Sequence, residues 1–214
     1  MPPPVLVLGT RNQKKRQEIV EILGDLGLEL QDLGAYPQAP EVVEDGTTFE
    51  ANARKKAGET AKAVGQWVLA EDSGLVILAL QGRPGVYSAR YAGKQGDDEA
   101  NNDRLLAELA PLADEKRAAY YVCTAALSDP HGQVRAVVEG RCLGVIIRER
   151  RGAGGFGYDP LFLIPEYHRT FGELSPRVKH ALSHRARALA QLRPALRELL
   201  LGANEASHGQ GSRQ

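Results

Sequence analysis

Two adjacent carboxylates, Glu71 and Asp72, follow the apolar run Trp67-Val68-Leu69-Ala70 and precede Ser73-Gly74 and a second apolar run, Leu75 to Leu80. Stripping an ionised carboxylate of water is costly, so a pair at the margin of a core calls for a metal, a cation or solvent. A solvated acidic turn is the plain alternative. A second acidic cluster, Glu41-Val42-Val43-Glu44-Asp45, gains interest from Asp72. Hard divalent cations take oxygen ligands, and magnesium is often held by two carboxylates together with substrate phosphates. The plain reading of Glu44 and Asp45 is that they face the dipole of the next helix.

Cationic chemistry sits elsewhere. Thr10-Arg11-Asn12-Gln13-Lys14-Lys15-Arg16 places four cations between an apolar strand and a helical pattern. Backbone N–H groups converge at a helix start and make it an anion site. Cations there oppose the macrodipole, so a phosphate would justify them; a basic turn facing solvent is the other possibility. The glycines and the Lys-Ser/Thr pair of a Walker loop are missing. Gly152-Ala153-Gly154-Gly155-Phe156-Gly157-Tyr158-Asp159-Pro160 is a flexible backbone that can approach a ligand closely, although glycine-rich loops are weakly specific. Near the end of the chain, Lys179, Ser183, His184 and Arg185 open a helix and are placed to converge on one anionic or carbonyl-bearing ligand.

The elements that must position these groups follow from periodicity. Val5 to Gly9 reads as a buried strand, then a helix carries Ile19, Val20, Ile22, Leu23 and Leu26 on one face. Thr10 and Asn12 are both candidate caps for it. Leu28 to Leu33 is a second strand, and a helix capped by Thr47 or Thr48 runs to about Val64, with Lys55 and Lys56 close to the acidic cluster. The runs on either side of Glu71-Asp72-Ser73-Gly74 read as two buried strands with a turn between them, which puts the carboxylates at a strand end. A structured loop from Gly82 to Gly93, a helix from about Asp97 to Leu109 and a strand from Arg117 to Leu127 come next. Ser128 to Gly132 is a hairpin turn, Gln133 to Glu139 returns from it, Gly140 marks a break, and Val145-Ile146-Ile147 is a further strand. Leu161 to Ile164 is the last strand, and one helix runs from Leu174-Ser175-Pro176 to Leu200.

The 214 residues suffice for one domain with a substantial core. Lys plus Arg and Asp plus Glu both number 27, and a net charge of zero argues against nucleic acid as the main partner. Cys123 and Cys142 lack metal-ligand spacing and suit a reducing compartment. No apolar run approaches the ~18 residues that span a bilayer, so no membrane association is expected. Met1-Pro2-Pro3-Pro4 leads directly into a strand rather than a signal peptide, and the expected location is cytoplasmic. Residues 1–203 are read as a single catalytic domain and 204–214, which lack periodicity, as a disordered tail.

Taken together the motifs resemble the inosine triphosphate pyrophosphatase family, also called Ham1-like. Its opening Thr-Gly-Asn-x-Gly-Lys appears as Thr10 to Lys15, and its Asp-Asp-Ser-Gly-Leu as Glu71 to Leu75. Pro84 to Gly93 matches Pro-Gly-Val-Tyr-Ser-Ala-Arg-Tyr-Ala-Gly, and Gly154 to Pro160 matches Gly-Gly-Phe-Gly-Tyr-Asp-Pro. Ser183 to Arg185 matches Ser-His-Arg, with the family lysine at Lys179. Five collinear motifs are not plausibly chance. Two departures stand out: Arg11 and Lys14 replace loop glycines, and Glu71 replaces the first aspartate.

The resemblance implies an α/β fold: an elongated mixed β-sheet flanked by helices, with two lobes around a central cleft, generally as a homodimer. It implies cleavage of a nucleoside triphosphate between the α and β phosphates, with deaminated purine nucleotides (ITP, dITP, XTP) as substrates. In the roles it carries over, Asp72 is general base and metal ligand, and Glu44 is the second ligand of one Mg2+. Lys15, Thr10, Asn12, Lys56 and Ser73 hold the triphosphate. Phe156 stacks on the purine, Gly157, Tyr158 and Asp159 close the loop, and Lys179, His184 and Arg185 donate to the 6-oxo group. Such donors reject adenine, whose amino group leaves them unpaired. A Maf-like nucleotide pyrophosphatase fits the motifs less well. A non-catalytic nucleotide-binding module is disfavoured by the neutral charge and the two acidic clusters.

Overall fold

A computed structural model of the chain describes residues 2–202. Seven strands form one mixed sheet in the order β2-β1-β3-β4-β5-β6-β7. They are β1 (Val5–Leu8), β2 (Glu29–Asp32), β3 (Trp67–Ile77), β4 (Ala118–Ser128), β5 (Val134–Ile146), β6 (Phe162–Ile164) and β7 (Arg169–Thr170). The pairs of β1 with β2 and β3 are parallel, and all pairs from β3 to β7 are antiparallel. The helices are α1 (Gln13–Leu23), α2 (Phe49–Val64), α3 (Asp98–Leu109), α4 (Pro176–Leu182) and α5 (His184–Leu196). The disordered tail expected at 204–214 lies outside the described residues.

Each helix follows from its apolar spacing. Ala53, Ala57 and Ala61 recur every four residues on α2 and are fully buried. Their small side chains bring α2 close onto Val7, Val68, Ala70 and Ala126 of the sheet. On the opposite face, Ile19 and Leu23 of α1 and Leu189, Leu192 and Leu196 of α5 pack on Leu6, Leu8, Leu69 and Leu127. A third cluster, built on Tyr121, Phe162, Phe171, Leu105 and Leu109, fills the far end, where Tyr121 and Phe162 lie 4.6 Å apart between ring centroids. Among the described residues no helix is long and apolar enough to cross a membrane.

Three departures from the sequence expectations decide where the site lies. First, no turn interrupts Trp67 to Ile77: β3 runs straight through the carboxylates. Antiparallel pairing with β4 continues from Val68–Ser128 to Ile77–Ala119 and overrides the Ser-Gly turn signal. Glycine is needed at 74 because a Cβ there would lie 2.4 Å from Ser88 Oγ and 2.6 Å from the Gly85 carbonyl. The carboxylates are therefore mid-strand, just past the point where β1 stops pairing at Leu8–Leu69.

Second, β5 is one strand of 13 residues, unbroken at Gly140. The glycine instead makes room for α5, since a Cβ would meet the His184 carbonyl oxygen at 2.3 Å and the Ala188 nitrogen at 2.4 Å. Third, the last helix breaks at Ser183, whose extended ψ of 157° ends α4 while its hydroxyl accepts from Ala186 N and caps α5. Lys179 and His184 therefore lie on two different helices, not on neighbouring faces of one.

Candidate active site

Period-two alternation along β3 separates the two carboxylates. Glu71 points to the α1/α5 face. Lys15 Nζ lies 3.0 Å from its Oε1, Arg185 Nη2 3.2 Å from the same oxygen, and the Cys123 thiol donates to Oε2 at 3.0 Å. Burial would raise this carboxyl, but the Arg185 and Lys15 charges hold it well below the ordinary value. Burial would likewise lower the Lys15 amine, yet Glu71 beside it keeps it above its usual range. Glu71 is thus a fully neutralised anchor.

Asp72 points to the α2 face. Asn52 Nδ2 donates to its Oδ2 at 2.8 Å and the Ser73 amide donates to Oδ1 at 2.9 Å. Burial raises its carboxyl above the ordinary value, and the like charge of Glu44 adds to that against Lys15 and Lys56. Glu44 itself is paired with Lys56 at 2.6 Å. Glu44 and Asp72 thus lie on the same side of β3, toward α2. The donor set is oxygen-only, and among the described residues no third His, Cys, Asp or Glu joins it. That suits magnesium, which keeps several waters and takes substrate oxygens rather than a closed protein cage.

The cationic loop is organised differently from expectation. Asn12, not Thr10, caps α1, its Oδ1 accepting from the amides of Lys14 and Lys15 at 3.0 and 3.1 Å; Thr10 Oγ1 accepts from the Asn12 amide. These two amides are therefore not free for a phosphate. Nor do the cations lack partners: Arg16 pairs with Asp32 at 2.9 Å, Lys14 with Asp98 at 3.7 Å and Lys15 with Glu71, while Arg11 donates to the Ala39 carbonyl. Carboxylates distant in sequence offset the macrodipole that the sequence left unbalanced. Lys15 remains one-sixth exposed at the rim of a cavity.

That cavity gathers ten of the expected binding residues: Asn12, Lys15, Ser73, Phe156, Gly157, Tyr158, Asp159, Lys179, His184 and Arg185. Thr10 flanks it, while Glu44, Lys56 and Asp72 lie on the other face of β3. The geometry changes the roles of several. Asp159 Oδ2 accepts from the Phe156 amide at 2.8 Å and from Lys179 Nζ at 2.6 Å. Lys179 also donates to Glu18 at 2.7 Å, and Arg185 donates to the other Glu18 oxygen and, at 3.1 Å, to Ser73 Oγ. Lys179 and Arg185 are thus struts in a buried network centred on Glu18, a residue that sequence reasoning missed because a glutamate in an amphipathic helix reads as solvated. Tyr158 donates to the Ser88 carbonyl at 2.8 Å and closes the loop base.

His184 is the open group. It is 5% exposed, stacks on Tyr121 with centroids 4.7 Å apart and planes 12° from parallel, and its Nδ1 has no partner among the described residues. Burial, helped by the Arg185 charge, holds its pKa well below the ordinary range, so the ring is neutral. Over the same cavity the half-buried ring of Phe156 has Lys179 Nζ 4.7 Å from its centroid and Arg185 5.9 Å away. Tyr121 gave no sequence signal, being one of two adjacent tyrosines in an otherwise ordinary strand.

The chain is similar to known proteins along most of its length. The sequence profile of the Ham1 family matches residues 6–195. The chain is 56% identical over 195 residues to a dITP/XTP pyrophosphatase of Rhodopirellula baltica, covering 91% of this chain and 94% of the relative. It is 51% identical over 191 residues to a dITP/XTP pyrophosphatase of Geobacter sulfurreducens, covering 89% and 96%. Among solved structures, a HAM1 protein from Coxiella burnetii superposes with a TM-score of 0.83 at 40% identity, covering 91% of this chain and 99% of the other. A nucleoside-triphosphatase / dITP/XTP pyrophosphatase from Mycobacterium abscessus gives a TM-score of 0.72 at 46% identity, covering 89% and 99%.

Proposed function

The chain belongs to the Ham1 family, and on that premise we propose that it is a dITP/XTP pyrophosphatase. It hydrolyses deaminated purine nucleoside triphosphates to the monophosphate and pyrophosphate. The observation that carries the reading is the split of the two carboxylates: Glu71 is neutralised among cations on one face of β3, leaving Asp72, on the other, for chemistry.

Phosphoryl transfer asks mainly for positioning and charge neutralisation. The purine enters the cavity against Phe156, which stacks on any purine. Neutral His184, braced on Tyr121, lines the same cavity and meets the base edge. Lys15 faces the triphosphate from the rim, with Asn12 and Ser73 beside it, and Lys56 approaches from α2. Asp72, oriented by Asn52 and the Ser73 amide, accepts a proton from the attacking water. Glu44 and Asp72 would hold Mg2+, which when bound supplies charge neutralisation on the phosphate oxygens.

Lys179, Arg185, Glu18 and Asp159 then act as the rigid frame behind the base pocket, and of the three expected 6-oxo donors, Lys179, His184 and Arg185, only His184 stands outside that network. The enzyme acts as a homodimer on free nucleotides in the cytoplasm; family resemblance alone supports this part. Asp72→Asn tests the assignment. It keeps the shape and loses the base, and should lower kcat by more than the ~10²–10⁴-fold that proton transfer alone contributes, with unchanged thermal unfolding. A variant near the wild-type rate at saturating Mg2+ would falsify it.

A further inference from the structure

The Phe156 loop carries Gly152, Gly154, Gly155 and Gly157, and a chain this rich in glycine samples many conformations unless it is held. Asp159 fixes it on one side by accepting the Phe156 amide. The other side is held from a different element. Asp98 Oδ2 accepts from the Gly157 amide at 2.8 Å, and Asn102 Nδ2 donates to the Gly157 carbonyl at 2.9 Å. The two residues are one turn apart on α3 and so share a face. They grip both peptide groups of the residue that follows Phe156, at a φ of 62°.

Asn102 is 1% exposed and its Oδ1 has no partner among the described residues. An orphaned buried acceptor is unfavourable, so an asparagine here is explained by what its amide nitrogen does, which is hold Gly157. Asp98 also lines the nucleotide cavity and pairs with Lys14, whose amine lies 5.8 Å from the Phe156 ring centroid. The clamp therefore ties α1, α3 and the loop at one point beside the stacking ring.

We propose that Asp98 and Asn102 are positioning residues for purine binding, which hold the Phe156 ring in its stacking pose through both peptide groups of Gly157. The inference rests on the reading of Phe156 as the base platform. Preorganising the ring removes an ordering penalty that substrate binding would otherwise meet, so the effect falls on KM.

The test is kcat and KM for dITP in Asp98→Ala, Asp98→Asn and Asn102→Leu, each with Phe156 intact and with Phe156→Ala. With the ring present, Asp98→Ala and Asn102→Leu should raise KM roughly 3- to 10-fold, the worth of one hydrogen bond, with kcat changed less than about twofold. Asp98→Asn still offers an acceptor to Gly157 and should stay near wild type. Asn102→Leu removes one orphaned acceptor and leaves the Gly157 carbonyl unpaired in its place, so its melting temperature should change little. In the Phe156→Ala background the same substitutions should leave KM unmoved, because the ring they hold is gone. Equal fold-changes in both backgrounds, or unchanged KM with the ring present, overturn the clamp while the platform stands. Phe156→Ala without any effect on KM overturns the platform and the clamp together.

Discussion

Gly140→Ala places one methyl group where β5 and α5 touch. The new Cβ would lie 2.3 Å from the His184 carbonyl oxygen, 2.4 Å from the Ala188 nitrogen and 3.0 Å from the Ala188 Cα. All three are backbone atoms of α5, so no side chain can swing aside, and relief requires α5 to retreat by about 1 Å from the sheet. Overpacking of this kind costs about 1–3 kcal/mol, which for a domain of this size lowers Tm by roughly 2–10 °C. The catalytic cost should be larger. His184 and Arg185 form the first turn of α5, and a displacement near 1 Å at a binding group can cost on the order of 10²-fold. We therefore expect kcat/KM for dITP to fall by about 10- to 100-fold in a protein that still unfolds cooperatively. Gly202→Ala is the control: its Cβ would meet only the Arg197 carbonyl at 3.7 Å, and activity should be unchanged. Wild-type kcat/KM and Tm in Gly140→Ala would refute the claim that close α5 packing sets the base pocket.

Three further outcomes follow from the site. Lys15→Ala should raise KM for dITP well beyond Lys14→Ala, since Lys15 faces the cavity against Glu71 while the Lys14 side chain is 61% exposed; equal effects would mean the loop is read in the wrong register. His184→Phe keeps the stack on Tyr121 and loses the ring nitrogen, so the dITP-to-dATP ratio of kcat/KM should drop by roughly 2- to 10-fold; a parallel fall in both would place the base edge elsewhere. Glu18 governs acid stability: burial would raise its carboxyl, but Arg185 and Lys179 hold it below the ordinary 4.5. Its stabilisation is complete above the unfolded value and drains as pH falls through the lower folded one, so Glu18→Gln should flatten the decline of Tm below pH 4.5; an unchanged slope would contradict the network.

Much of this was legible in the sequence because the motifs name residues that side-chain geometry then gathers: ten of them line one cavity. What failed was local reading at positions where tertiary contact decides. Ser73-Gly74 carries a turn signal, yet full pairing with β4 keeps the strand straight. Gly140 looked like a break and is a clearance for α5. Ser183 looked like the interior of one helix and is a double cap, because its hydroxyl competes for the Ala186 amide. Glu71 and Asp72 looked like a pair; strand alternation sends them to opposite faces. Glu18 and Asn102 gave no signal at all, since a buried polar residue is recognisable only once its partners are in place.

On the proposed function, the enzyme makes a metal-dependent cut between the α and β phosphates, selective for deaminated purines. Product analysis tests it most directly: dITP, XTP, dATP and dGTP are each incubated with the enzyme, with and without Mg2+, and monophosphate, diphosphate, orthophosphate and pyrophosphate are resolved. Monophosphate and pyrophosphate in equal amounts from dITP and XTP, only with Mg2+ and far faster than from dATP, is the predicted result. Release of orthophosphate and a diphosphate, or equal rates on all four nucleotides, would contradict it.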